Sequence, residues 1–366
     1  MPVCLSLVTL LCSARVAAAQ NTPAAGSPPP DDTPSIKVGA VIYPDYTYTL
    51  NPTTIDSDGN AIHLSQFSVT RGYINITGNI SHLVAFRITP DVARETSSFS
   101  DISGSLEFRV KYAYLQLNLD DWIKGSYVRF GIQQTPWLDF AEGIYRYRFQ
   151  GTMFAEREQT AARSSFLVSS DAGASFHYEF DYGDVHVGVF NGENYNKAEV
   201  NNEKSFQVRA TLRPFANPST PQVLRGIRGS VFFDADHYVK NAPRNRFIGS
   251  VTFEHPHLNA AFELLDTADQ TSITKPEVDG RGYSIWATPK SSNGLEGLIR
   301  YDHMKPNTLV GAQVKNRTIV GVAYWFPHQG NVSSALLLDY DGQTFDNFTP
   351  AQPRQSKLAV HGLISF

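Results

Sequence analysis

The sequence predicts an all-β fold, a transmembrane antiparallel β-barrel of about sixteen strands with a long third extracellular loop folded inward. Three observations predict it. From Ser35 to Phe366, segments of roughly nine to twelve residues alternate in polarity, the length that crosses a bilayer at a tilt. The connections between them alternate between short and long. After the N-terminal segment, no apolar run approaches the ~20 residues of a spanning helix. The last point excludes a helical membrane protein but not a barrel, whose strands average out in any hydropathy window.

The elements follow in order. Leu5 to Leu11 is apolar, and Ala17-Ala18-Ala19 before Gln20 fits a small-residue cleavage site, so residues 1–19 read as a secretory signal peptide. No Lys or Arg precedes the apolar run, which departs from that pattern and suggests a start further upstream. Residues 20–34 read as a Pro-rich linker and 35–366 as the barrel. Strands are expected to begin near residues 36, 67, 82, 106, 126, 174, 184, 205, 226, 247, 258, 282, 295, 317, 334 and 357. Phe206 to Arg213 shows the logic: Phe206, Val208, Ala210 and Leu212 share one face, while Gln207, Arg209, Thr211 and Arg213 share the other. Short connections at Gly78–Ser81, Asp181–Asp184, His255–His257, Lys290–Gly294 and Pro327–Asn331 read as periplasmic turns. Longer ones at Leu50–Gln66, Thr89–Ser105, Asp266–Arg281 and Asp341–Ser356 read as outer loops, which puts both termini on the periplasmic side. A soluble β-sandwich would also alternate, but with more continuous apolar faces and a shorter series of strands. The final strand places Leu358, Val360, Gly362, Ile364 and Phe366 on one face, with Lys357, His361 and Ser365 on the other. Such an apolar, edge-ready strand with an aromatic end resembles the signal read by the barrel-assembly machinery.

Composition narrows the chemistry. The two cysteines, Cys4 and Cys12, both lie in the leader, so a processed chain has no disulfide, thiolate nucleophile or thiolate metal site. Cys12 follows Thr9-Leu10-Leu11, without the small residue of a lipoprotein signal. Net charge is −4, from 31 basic and 35 acidic residues, which provides no global field for nucleic acid. No Gly-x-Ser-x-Gly, His-Glu-x-x-His or phosphate-loop pattern occurs. His255-Pro256-His257 falls in a tight turn without companions for a metal. No catalytic residue, metal or cofactor is therefore expected. A barrel enzyme assembled from distant Ser, His and Asp, or a surface-binding barrel without an open pore, remains the alternative from another functional class.

Three ordered stretches resemble the phosphate- and pyrophosphate-selective porin O and P family. Val128-Arg129-Phe130-Gly131-Ile132-Gln133-Gln134-Thr135-Pro136-Trp137 is similar to the strand that enters that family's constriction loop. Met153-Phe154-Ala155-Glu156-Arg157-Glu158 is similar to its Phe-x-Glu-Arg segment. Val187 to Tyr195 is similar to its strand ending in Asn-Gly-Glu, here Asn191-Gly192-Glu193. The resemblance implies a sixteen-stranded homotrimer in the outer membrane of a Gram-negative bacterium. It would lie among lipid and lipopolysaccharide and pass small polar or charged solutes by passive diffusion. Anion selectivity of the phosphate type is the second reading. The Trp137–Thr160 stretch offers Arg146, Arg148 and Arg157 but no lysine, and also carries Asp139, Glu142, Glu156 and Glu158, which departs from the family's cationic constriction.

The longest connection, about Gln134 to Asp171, points to the site. A sixteen-stranded lumen must be narrowed to become selective, so this loop is expected inside, with Tyr145, Arg146, Tyr147 and Arg148 near the narrowest point. Period-two phasing directs Arg71, Arg87, Arg109, Lys111, Arg129, Arg209, Arg213 and Arg228 to the lumen. It also directs Asp234, Asp236, Glu254, Glu263, Glu296, Asp302, Asp339 and Arg300 there. Basic residues dominate the early strands and acidic ones the late strands. Opposed walls of that kind would set up a transverse field, whereas pairing between neighbouring strands would only stiffen the wall. Arg71, Arg87, Arg109 and Arg129 are expected to form one basic stripe.

Overall fold

The computed structural model describes residues 32–95, 100–157, 165–310, 313–328, 330 and 332–366. The expected signal peptide and nearly all of the linker lie outside the described residues. The strands are β1 (Ser35–Asn51), β2 (Thr54–Ile55), β3 (Ala61–Ile62), β4 (Ser65–Asn79), β5 (Val84–Arg94) and β6 (Leu106–Asn118). They continue with β7 (Ser126–Gln134), β8 (Ser170–Phe180), β9 (Gly183–Phe190), β10 (Ser205–Leu212), β11 (Ile227–Val239) and β12 (Ala242–His255). The series ends with β13 (Leu258–Asp269), β14 (Val278–Pro289), β15 (Leu295–Lys305), β16 (Val314–Trp325), β17 (Ser333–Asp346) and β18 (Gln355–Ser365). Three short helices are α1 (Pro136–Ile144), α2 (Phe154–Arg157) and α3 (Gln222–Arg225).

Sixteen of these strands form one closed antiparallel barrel, each beside its sequence neighbour, and β2 with β3 makes a separate hairpin in the first loop. The ring closes where β18 pairs with β1. Phe366 extends that seam: its amide donates to the Ala40 carbonyl at 3.1 Å, and its carbonyl accepts from the Ala40 amide at 2.9 Å. Closure leaves no unpaired edge, as a bilayer requires. The number of strands and their antiparallel order agree with the periodicity, and each start falls within a few residues of its expected place.

The alternation is physical. On β10, Phe206 and Leu212 are exposed on the outer face, while Ser205, Gln207, Arg209 and Thr211 are buried inside. On β16, Val320 and Val322 are exposed and Arg317, Ile319 and Ala323 are buried. Exposed aromatic rings stand at both ends of the outer wall. Trp122, Tyr182, Tyr324, Phe326 and Phe366 lie at the rim of both termini, and Phe67, Phe108 and Phe206 lie towards the other. Such girdles sit at the membrane interfaces of outer-membrane barrels. Two connections break the rule of short turns and long loops. β11 and β12 are joined through Lys240-Asn241 on the loop rim, with Asn241 at φ 62°. β10 and β11 are joined by 213–226, which carries α3, on the turn rim.

Among the described residues Gly131 on β7 is the one glycine inside a strand at positive φ, 123°. A Cβ there would overlap the Ala113 carbonyl of β6. The register runs on through Gly131, so Gln133 keeps the inward phase of Arg129, and Gln134 is buried beside it where the chain leaves for the third loop.

Candidate functional site

The connection from β7 to β8 runs through the barrel. Thr135 caps α1 and Pro136 occupies its first turn, which suits a residue with no N–H to donate. From there the chain meets wall after wall. The Pro136 carbonyl accepts from Arg209 Nε on β10 at 2.9 Å, and the Ile144 carbonyl accepts from Asn259 on β13 at 3.2 Å. The Thr152 carbonyl accepts from Arg300 on β15 at 3.0 Å. The Phe166 carbonyl accepts from Arg246 on β12 at 2.9 Å. Gln150 donates to Asp339 on β17 at 2.9 Å. These inward side chains satisfy loop carbonyls that have no strand partner, as burial requires.

Aromatic packing holds the loop to one side. Tyr145 meets Trp286 of β14 edge-on at 5.1 Å between centroids. Tyr147 and Phe149 stack at 5.5 Å, and both present to Trp325 of β16 nearly perpendicular. Phe149 also reaches Tyr43 of β1 at 6.4 Å. Around them Leu138, Ile144, Phe154 and Leu167 pack with Ile248, Leu265, Leu298, Ile319 and Leu337 of the wall. Each such aromatic pair adds about 0.5–1.5 kcal/mol beyond area burial. The interior between β11 and β1 thus holds an apolar core, with buried ion pairs along the wall beside it. Tyr145 and Tyr147 lie within it, at 1% and 0% exposure, as anchors and not as edges offered to water. Arg146 joins them, stacked 4.0 Å over Trp325 and paired with Glu296 of β15 at 2.9 Å, where Tyr147 also donates at 3.0 Å.

The wall from β4 to β7 differs. Arg71 donates to the Tyr73 hydroxyl at 2.8 Å, and Lys111 Nζ reaches the same oxygen at 3.1 Å. Arg87 hydrogen-bonds Asn75, Thr89 and Gln134 and stacks 4.2 Å over Tyr112. Arg148 arrives from the loop and binds both Glu142 and Glu156. Arg71 stands 4.0 Å from Glu156. No carboxylate lies within salt-bridge distance of Lys111 among the described residues. Arg129 turns away from this group: it pairs with Asp139 of α1 at 3.2 Å and donates through Nε to the Gln116 side-chain oxygen at 2.9 Å. Arg109 pairs with Asp91 at 3.3 Å. Each of the four arginines expected as one stripe thus has its own local partners, with Lys111 placed beside Arg71. Arg157 ends α2, and its side chain lies outside the described residues.

The remaining expected residues all reach the inner side of the wall or its turn rim. Arg209 pairs with Asp184 at 2.5 Å, Arg213 with Glu179 at 2.7 Å, Arg228 with Glu254, and Arg300 with Asp302 at 2.6 Å. Asp234 accepts from Ser205 at 2.6 Å, and Asp339 faces His361 at 3.3 Å. Glu263 is buried on β13. Asp236 pairs with Arg244 at 3.4 Å, Asp269 with Arg246 at 2.7 Å, and Asp341 with Arg317 at 2.7 Å. This last set corrects the expectation of a basic half facing an acidic half. Arg244, Arg246 and Arg317 sit in the acidic half and Asp91 and Asp184 in the basic half, so many of these charges are paired locally between neighbouring strands.

Space remains beside the β4–β11 wall. A cavity of about 310 Å³ near the turn rim is lined by Gln134, Asp139, His177, Arg209, Arg213 and Arg228, among others. A second of about 260 Å³ lies between β4–β6, α2 and the fourth loop.

Residues 53–232 match the family model described as phosphate-selective porin O and P. No curated protein matches the chain by sequence. Among solved structures, an anion-selective porin from Comamonas acidovorans superposes with TM-score 0.64 at 10% identity, covering 91% of this chain and 100% of that one. OmpT of Vibrio cholerae superposes at 0.59 with 10% identity over 93% and 100%. The outer-membrane channel DcaP of Acinetobacter baumannii follows at 0.55 with 12% identity over 91% and 97%. At such identities the likeness is one of fold. The matched segment spans the basic wall, the whole third loop and the wall beyond it, so residues 53–232 are similar to the phosphate-selective porin O and P family, within a closed barrel that has the fold of outer-membrane porins.

Proposed function

We propose that this porin passes small polar or charged solutes by passive diffusion, through a pathway narrowed by the 134–171 loop and bordered by the β4–β7 wall. The observation that carries the reading is the asymmetry of the interior. The loop is fastened to β11–β1 by apolar packing, which excludes water, while the wall opposite carries Arg71 and Lys111 on the Tyr73 hydroxyl and Arg87 over Tyr112, with Arg148 added from the loop. Glu142 and Glu156 offset part of that charge. A local cation excess supports a mild preference for anions, and the buried ammonium of Lys111 favours this second reading most directly. In this reading the chain is exported through the periplasm after loss of residues 1–19, is inserted by way of Phe366, and works as a homotrimer in lipid and lipopolysaccharide. One of the similar Vibrio cholerae structures is described as a trimer form, which supports that assembly. No catalysis is assigned to it.

Planar-bilayer recordings in a KCl gradient test the reading. The wild type should conduct with a reversal potential displaced towards anions. Arg71→Ala and Lys111→Ala should each move it towards cations, because a ring of fixed charge sets ion preference. An unmoved reversal potential in both variants would sink the selectivity assignment.

A further inference from the structure

The cavity beside β4–β6 has a charge pattern unlike that of an anion site. Arg71 and Arg109 supply two cations, Asp91 and Glu156 two carboxylates, and Asn194 and Tyr195 neutral polar groups. Its poles are formed but incompletely used. Asp91 is 2% exposed, and one of its oxygens accepts from Arg109 at 3.3 Å and from the Tyr195 hydroxyl at 3.2 Å. Among the described residues its other oxygen has no hydrogen-bond partner, nor has the Arg109 Nε–H, nor the Asn194 side-chain oxygen. Buried polar atoms are nearly always paired, so three vacant ones on adjoining residues of one cavity mark a place for a polar guest. Asn194 is also held at φ 100°, an uncommon cost for a non-glycine residue. The Arg109 guanidinium lies 4.9 Å over the Tyr195 ring, which fixes its plane.

We propose that this cavity is a transient binding site for small zwitterions of the α-amino-acid type on their way through the pore, an inference that rests on the porin reading. An ammonium group would donate to the vacant Asp91 oxygen, and a carboxylate would accept from Arg109 Nε and the Arg71 guanidinium. The neutral balance of the site disfavours a multiply charged phosphate, which would meet two carboxylates along with the two cations. At about 260 Å³ the cavity suits a guest of few heavy atoms, below the usual ~300–1,000 Å³ of drug-sized pockets.

The test uses the full barrel in planar bilayers, with KCl current read during titration with L-serine, inorganic phosphate or glycerol. Serine should reduce the current saturably and the other two should not. Arg109→Gln, at a partly exposed position, and Asp91→Asn should each weaken the serine effect roughly tenfold, with KCl conductance retained. Saturable block by phosphate in place of serine, or a serine effect indifferent to both variants, would overturn the zwitterion site while leaving the porin intact. A folded barrel that carries no KCl current would overturn the diffusion reading beneath it.

Discussion

Arg246 and Asp269 illustrate what a charged residue does inside this barrel. Both are nearly inaccessible, their ion pair is 2.7 Å long, and Arg246 also supports the Phe166 carbonyl of the third loop. Burying two charges costs several kcal/mol each, and mutual attraction recovers that only with good geometry and further hydrogen bonds. The pair is therefore a device for placing the loop more than a net source of stability. Asp269→Asn leaves the guanidinium buried without its counter-charge and should cost about 3–5 kcal/mol, read from urea unfolding of the refolded barrel. The double variant Arg246→Met with Asp269→Leu should recover most of the loss.

At the scale of elements, turns and loops share the same logic of local satisfaction. His82, in the turn between β4 and β5, holds Asp32 through Nδ1 at 2.5 Å and Asp121 of the next turn through Nε2 at 3.0 Å. The clamp ties the residues before β1 to two turns of the same rim. Hydrogen bonds to the two carboxylates raise the His82 pKa above 6.5, and His82 in turn lowers that of Asp32 below 3.8. The signs follow. The His82 contribution is complete below pH 6.5 and is lost as pH rises through its raised value. The Asp32 contribution is complete above pH 3.8 and is lost as pH falls through its lowered value. Hydrogen exchange at the start of β1, corrected for intrinsic rates, should therefore be slower near roughly pH 6 than near roughly pH 9. His82→Gln should abolish the difference. An equal pH dependence in that variant would place the effect elsewhere.

The whole molecule is an inverted solvent problem: apolar outside, polar and partly apolar within. A charge on the lipid face loses its hydration, so Val320→Arg, midway along β16 and on the exposed face, should destabilise the inserted barrel by ~2–4 kcal/mol. The check is unfolding from bilayers compared with wild type. The interior is less uniform than a plain aqueous tube, because a third-loop core of Trp137, Tyr147, Phe149 and Phe154 fills much of it.

How much of this was legible follows from which forces are local. Alternation on β10, the phase of Arg87 or Asp302, and the role of Phe366 at the seam all depend on the period of a strand and on the medium outside it, both written along the chain. Arg244, Arg246, Asp91, Asp269 and Asp341 were missed for one reason. Each lies at a strand end that continues beyond the apolar stretch, β5 to Arg94, β13 to Asp269 and β17 to Asp346, where polar residues read as loop. Thr135-Pro136 was a usable signal for α1 that the length of the connection obscured.

The sequence by itself determined the barrel, its sixteen strands and the inward phase along their apolar stretches, because lipid outside and period-two geometry allow few other solutions. Only the tertiary structure decided which inward charges meet, that Tyr145 and Tyr147 anchor a dry core, and where vacant polar atoms gather around Asp91. Those outcomes depend on a long loop crossing a closed ring, and distances across a ring are set by closure and not by neighbours in the chain.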